Sequence, residues 1–234
     1  MSTRNESKSY LTVAASVVAF GLFFAATGTS DAGVFTSVTQ NDWGAEISGI
    51  GYTHAVNFGG SAISVNGVSF ETSTGIFTDG NTTYSDGPAA DGVNNIVNDA
   101  GLADNFKHDG DTVAALHFDP ASLIADNLYE LKMFFVDWDG NPRETTITDD
   151  FTADSIVFNL TDAGSQNGTV VTYNYTAQAN GALDLSFVFT VTNDAGHFYA
   201  LTNQDVTPIP EPSAFVLAAL GLLSLGMTRR RRRR

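Results

Sequence analysis

From Thr112 to Val206, apolar and polar positions alternate rather than recurring at helical spacing. Val, Ile, Thr, Phe and Tyr dominate the apolar set, as expected of strands. Tyr129 to Trp138 is the strongest such run. Tyr129, Leu131, Met133, Phe135 and Asp137 fall on one face, and Glu130, Lys132, Phe134, Val136 and Trp138 on the other. Its start is amphipathic and its end apolar on both faces, the pattern of a central sandwich strand. Leu183, Leu185, Phe187 and Phe189 alternate with Asp184, Ser186, Val188 and Thr190, which predicts a half-buried strand. Thr112 to Phe118, Arg143 to Thr148, Ile156 to Leu160, Thr169 to Ala177 and His197 to Val206 extend the series. Gly49 to Phe58 and Ile63 to Phe70 are the earlier strand candidates, the second with a weak pattern.

Turn signals separate these runs. Asn66-Gly67, Asp79-Gly80, Asp86-Gly87, Asp91-Gly92, Asp109-Gly110, Asp139-Gly140, Asn167-Gly168 and Asn180-Gly181 supply positive φ at little cost. Glu71 to Asn105 has no such rhythm. It is rich in Gly, Asp and Asn, broken only by Val93 to Val97 and Leu102 to Phe106, and reads as a functional or disordered loop. Short strands, frequent turns and no long helical pattern give an all-β fold: an antiparallel β-sandwich of jelly-roll type.

Both ends of the chain read differently. Arg4 and Lys8 precede an apolar run from Leu11 to Ala26, and Ser30-Asp31-Ala32 fits a small-x-small cleavage rule, so 1–32 is expected to be a signal peptide. At the other end, 208–234 falls into three blocks. Pro208 to Ser213 is a proline-rich turn, Ala214 to Met227 is an apolar helix-forming run, and Arg229, Arg230, Arg231, Arg232, Arg233 and Arg234 form a basic stop. The apolar run is short, about 21 Å as a helix against a hydrocarbon core of roughly 30 Å, which suits a transient anchor. Between the ends lies one domain, 33–207.

Charge narrows the partners. The whole chain carries a net charge of −15. The domain alone holds 23 acidic residues against Lys107, Lys132 and Arg143, a net charge of −20. A body this acidic is repelled by phosphate backbones, so no nucleic-acid partner is expected. With no cysteine, disulfides, thiol catalysis and Cys-ligated zinc are excluded.

No catalytic set assembles. His54, His108, His117 and His197 form no zinc motif, and Gly59-Gly60-Ser61 is a glycine turn, not a nucleophile elbow. The chain is therefore read as a non-enzyme. Among the acids, Asp137, Asp139 and Asn141 place oxygen ligands at alternate positions, which makes Ca²⁺ the one cofactor considered. Pro142 and Thr148 stand where an EF-hand needs Gly and Glu, so that motif is rejected. The competing reading is a turn whose Asp side chains cap backbone N–H groups. For glycan binding, Trp138 at a strand end with Asp139, Asn141 and Arg143 around it offers a stacking ring beside polar groups. Its alternative is that Trp138 caps the core and Arg143 makes a surface ion pair with Asp137 or Asp139.

Two resemblances follow from these residues. Pro210-Glu211-Pro212, the apolar run and the arginines resemble the PEP-CTERM sorting signal of bacterial exported proteins. That resemblance implies export, recognition by an exosortase after signal peptidase and the export machinery have acted, transient anchoring by the C-terminal helix, and an end at the cell surface or extracellular matrix. The stretch from Leu116-His117-Phe118-Asp119-Pro120 through Tyr129 to Arg143 resembles galactose-binding-like or malectin-like sandwiches. That resemblance implies binding of carbohydrate, here an extracellular polysaccharide, by loops at one end of the domain, often with a structural Ca²⁺. Two further expectations remain: a structural envelope or biofilm protein with no discrete ligand and, ranked after it, a secreted glycoside-acting enzyme using a pair of carboxylates.

Overall fold

The fold is taken from a computed structural model, which describes residues 33–48, 51–72, 77–79, 84–85, 95–104, 107–109, 113–137, 140–191 and 196–208. Two large sheets face each other. The seven-stranded sheet runs β1 (Val34–Thr39), β12 (Gly168–Thr176), β9 (Leu128–Val136), β15 (Ala200–Asp205), β2 (Tyr52–Asn57), β4 (Val68–Thr72) and β3 (Ile63–Val65). The five-stranded sheet runs β11 (Ser155–Asn159), β10 (Arg143–Asp149), β13 (Leu183–Val191), β8 (Val113–Phe118) and β5 (Phe77–Asp79). A small sheet of β14 (Gly196–Phe198), β7 (Lys107–Asp109) and β6 (Tyr84–Ser85) completes the described strands. Every pairing between the named strands is antiparallel except β2 with β4.

The strand order carries the topology. Of the eight strands β2, β8, β9, β10, β11, β12, β13 and β15, the sixth, third, eighth and first lie side by side in one sheet, and the fifth, fourth, seventh and second in the other. That is the double Greek-key wrap of a jelly roll. Consecutive strands therefore often change sheet: β11 and β13 join one, β12 and β15 the other.

Alternation along β9 works as its pattern demands. Tyr129, Leu131, Met133 and Phe135 enter the core between the sheets, with Leu116, Phe118, Ile147, Phe187 and Leu201. Phe134 and Val136 enter a second cluster on the opposite face, with Trp43, Ile47, Phe70, Leu102 and Tyr199. The long sheet is thus buried on both sides at its upper end. The outer cover is a one-turn helix, α1 (Trp43–Glu46), and residues 95–104. Trp43 is fully buried, tilted against Phe134 at 5.1 Å and edge-on to Tyr199 at 6.0 Å between ring centroids.

Polar groups hold this cover in place. Asp42 caps α1 by accepting from the Ala45 N–H at 3.1 Å. Asn66 Nδ2 donates to the Gly44 and Ile47 carbonyls at the other end. Asn41 and Asn95 both donate to Asn167 Oδ1 at 2.9 Å, and Asn98 donates to Asp42. Lys132 reaches across from β9 to Glu46 Oε2 at 2.8 Å.

Several expectations change. Ile63 to Phe70 is not one strand: Asn66 (φ 49°) and Gly67 (φ 82°) both take positive φ and fold it into the β3–β4 hairpin. Its weak alternation was two strands and their turn. His197 to Val206 is interrupted at Tyr199, where the chain passes from β14 to β15. Within the polar stretch from Glu71 to Asn105, residues 95–104 are a packed cover whose Ile96, Leu102 and Ala103 are buried. β1 and α1 carry no strong periodic signal and were not anticipated. The expected signal peptide 1–32 and most of the tail lie outside the described residues, and with them Pro210, Glu211, Pro212 and Arg229 to Arg234.

Candidate functional site

A cleft of about 390 Å³ opens in the long sheet between β2 and β4. These neighbours pair only at their upper ends, Val56 with Glu71 and Asn57 with Thr72. Below that rung the ladder stops and the strands part. Gly51 to Val56 line one wall, and Gly67, Val68, Ser69 and Glu71 the other.

Register and a bulge decide what faces the opening. Pairing between β15 and β2 slips between Asn203 and Gln204, leaving Thr53 as the extra residue. Tyr52 therefore joins Ala55 against the outer cluster, while His54 turns inward and stacks on Phe118 at 4.2 Å, 7° from parallel. On β4, Val68 and Phe70 belong to the outer cluster, so Ser69 and Glu71 take the opposite face, in line with His54 and Val56. Among the described residues β5 pairs with β8 from Ala114 to Leu116, and beyond it Phe118 is covered by the His54 ring.

The hydrogen bonds at Thr53 set the state of His54. Thr53 Oγ1 donates to the Asn203 carbonyl at 3.0 Å and accepts from Asn203 Nδ2 at 3.0 Å. Its single proton is spent, so the contact with His54 Nδ1 at 3.2 Å requires the imidazole to donate. The neutral ring then carries its proton on Nδ1 and presents Nε2 as an acceptor. Burial holds the imidazole below its ordinary pKa, which keeps it neutral. Tyr175 fixes Asn203 from below by donating to Oδ1 at 3.0 Å. The cleft thus offers an imidazole nitrogen, the Glu71 carboxylate and the Ser69 hydroxyl, with no cationic side chain among its described lining residues. Lys132 is paired with Glu46, and Arg143 lies buried beside Asp137.

Of the residues singled out from sequence, Asp137, Asn141 and Arg143 lie at the upper end, where β9 leads towards β10. Trp138 and Asp139 lie outside the described residues. Asn141 is exposed. Arg143 is fully buried, not at the surface, with its guanidinium 4.0 Å from Asp137 Oδ1, and Asp137 is itself only 1% exposed. The Arg143 N–H donates to Asn159 Oδ1 at 3.2 Å. Asp137 Oδ1 accepts from the exposed Gly140 N–H at 3.1 Å, the capping role, from a carboxylate that is itself buried. The guanidinium already supplies positive charge beside this carboxylate. Among the described residues no group of three or more His, Asp or Glu converges as a metal site.

His117 lies on β8, hydrogen-bonded through Nδ1 to Asp184 and 3.3 Å through Nε2 from Asp119. The arrangement ties strand to strand, since His117 and Asp184 are register partners on β8 and β13. The β2–β4 cleft is the feature sequence reasoning missed. Its signal was present in Asn66-Gly67, which forces the hairpin, but the parting of two parallel strands leaves no mark in a periodic pattern.

No family model and no curated protein sequence matches the chain. Among solved structures, a calcium-binding mutant of Bacteroides uniformis beta-glucuronidase 2 superposes on 65% of this chain and 18% of its own, with TM-score 0.50 and 12% identity. An exo-beta-1,3-galactanase from Phanerochaete chrysosporium overlaps 67% of this chain and 30% of its own, at TM-score 0.37 and 10% identity. The chain spans about a fifth of the glucuronidase's length. At this identity the likeness is one of fold, a β-sandwich that also occurs inside a larger glycoside-acting protein.

Proposed function

We propose that the chain is an exported carbohydrate-binding β-sandwich module whose saccharide site is the β2–β4 cleft. The supporting observation is the cleft's lining. His54 Nε2 and the Glu71 carboxylate are acceptors, and Ser69 both donates and accepts, a set suited to sugar hydroxyls. A neutral, hydroxyl-rich polysaccharide fits this lining better than a uronate or sulfate, because the cleft has an anion and no cation to meet an acid. The fold shared with part of a beta-glucuronidase agrees with a carbohydrate-related module. In this reading 1–32 directs export, and an exosortase acts at Pro210-Glu211-Pro212 to leave the domain at the cell surface or in the matrix. The module itself catalyses nothing.

The test is a panel of immobilised neutral, amino and acidic polysaccharides, run with Ca²⁺ and with EDTA. Wild-type protein is expected to retain a neutral glycan in both conditions. Glu71→Gln and His54→Phe each weaken that binding about tenfold or more, the scale of one lost charge-assisted or buried hydrogen bond. Retention of no glycan, or binding unmoved by both substitutions, would overturn the assignment.

A further inference from the structure

The outer face of the five-stranded sheet has an unusual composition for so acidic a chain. Val157 on β11 is in register with Thr146 on β10, Thr146 with Val188 on β13, and Val188 with Val113 on β8. This row crosses four strands, about 14 Å at the usual spacing. Its valines are open to solvent: Val157 is 58% exposed, Val113 52% and Val188 43%. A second row lies below it, with Ser155, Thr148, Ser186 and Ala115 in register. Neither row contains an ionisable side chain. Glu144 bounds the pair of rows above, beside Thr190, and Asp184 and His117 bound it below. Asp150 touches only the lower margin, where it accepts from Ser186 at 2.7 Å.

We infer that this face is where two copies of the chain meet, sheet face against sheet face. The argument for a second copy is electrostatic. Each chain carries −15, so two copies repel wherever acidic side chains oppose each other. Across these two rows no ionised side chains oppose each other, and burial of exposed valine methyls supplies the attraction. A two-fold contact brings a central residue near its own counterpart, and Val188 is central in the upper row. The patch offers a handful of residues per copy, against roughly 20–30 per side in a standard interface. Association is therefore weak and depends on crowding, as for copies held at one surface. It also strengthens with salt, because screening removes the repulsion and leaves the apolar contact intact.

The chain has no cysteine, so single thiols report this contact without background. The experiment uses the full chain carrying Val188→Cys, treated with a short bis-maleimide. Val38→Cys, on the β1 edge, serves as a control of similar exposure, Val38 being 51% exposed. The expected result is a covalent dimer from Val188→Cys at least fivefold more abundant than from Val38→Cys, with the yield rising between 0.02 and 0.5 M salt. Adding Val113→Asp and Val157→Asp to the Val188→Cys chain abolishes the dimer, while its melting midpoint reports that the domain still folds. Equal yields from the two thiols, or a yield that the aspartates leave unchanged, overturns the inference. So does loss of the dimer on adding an insoluble polysaccharide that binds wild type but not the aspartate variant, which would make the face a glycan surface.

Discussion

The two faces of β9 are buried by different means. Toward the five-stranded sheet, Leu131, Met133 and Phe135 meet side chains from strands that alternate as regularly as β9 itself. On the other face, Phe134 and Val136 are covered by one turn of helix and a short irregular segment. The first interface is held by apolar contact among long ladders. The second has few ladder bonds of its own and is sutured by Asn41, Asn95, Asn98, Asn66 and the Lys132–Glu46 pair. Apolar burial is available to both, but only the first can rely on periodic structure to satisfy its backbone. The second must satisfy its backbone with side chains.

Substitutions on opposite faces of the same strand separate the two regions. Phe135→Ala removes a ring packed against Phe158 and Phe198, and is expected to cost about 3–5 kcal/mol of global stability, read as a shift in the denaturant midpoint. Trp43→Ala removes as much surface, but its effect should be local. Amide exchange should accelerate across 95–104 and α1 while β9 and β12 keep their protection. Equal loss of protection in both sheets would show that the cover and the sandwich are one cooperative unit.

A smaller effect belongs to the Lys132–Glu46 pair. The hydrogen bond from Lys132 holds the Glu46 carboxyl below its usual range, against the opposing effect of burial. Burial alone would lower the Lys132 ammonium, but Glu46 and Glu130 outweigh it and hold it above its ordinary value. The stabilisation from Glu46 is present above its unfolded pKa near 4.5 and lost as pH falls through the lower folded value. That from Lys132 is present below 10.5 and lost as pH rises through the higher folded value. Lys132→Met should flatten both limbs of the stability–pH curve, by no more than about 1 kcal/mol. His54 adds a limb of its own. Its lowered pKa means that stability falls as pH drops below 6.5, and His54→Phe, which keeps a ring on Phe118, should remove that slope.

What could be seen in the sequence follows the same division. β8, β9, β10, β11, β12 and β13 appear within a residue or two of where alternation puts them, because each buries one face against a sheet. The double-sided burial of β9 was visible in its adjacent Phe134 and Phe135. The outer cover was not, since Trp43, Ile96 and Leu102 sit in segments with no period to betray which side is inward. At the proposed site Glu71 stood at the edge of an apparent loop, and His54 gave no sign of its tautomer. That depends on Thr53 and Asn203, which are 150 residues apart. Arg143 was noticed for its charge, but the full burial that removes it from the surface follows from its inward register on β10.

The position of β15 has a mechanical consequence. It is the last described strand, yet it lies inside the long sheet, laddered to β9 on one side and to β2 on the other. A tether attached beyond Pro208 would draw on β15 along its own length, loading both ladders in shear so that their rungs resist together instead of opening one after another. β1, which among the described strands pairs on one side, with β12, has a single ladder there to resist with. If the domain is ever held by its C-terminal side, the load falls on the strand least able to peel away, and releasing it means breaking the sheet in two.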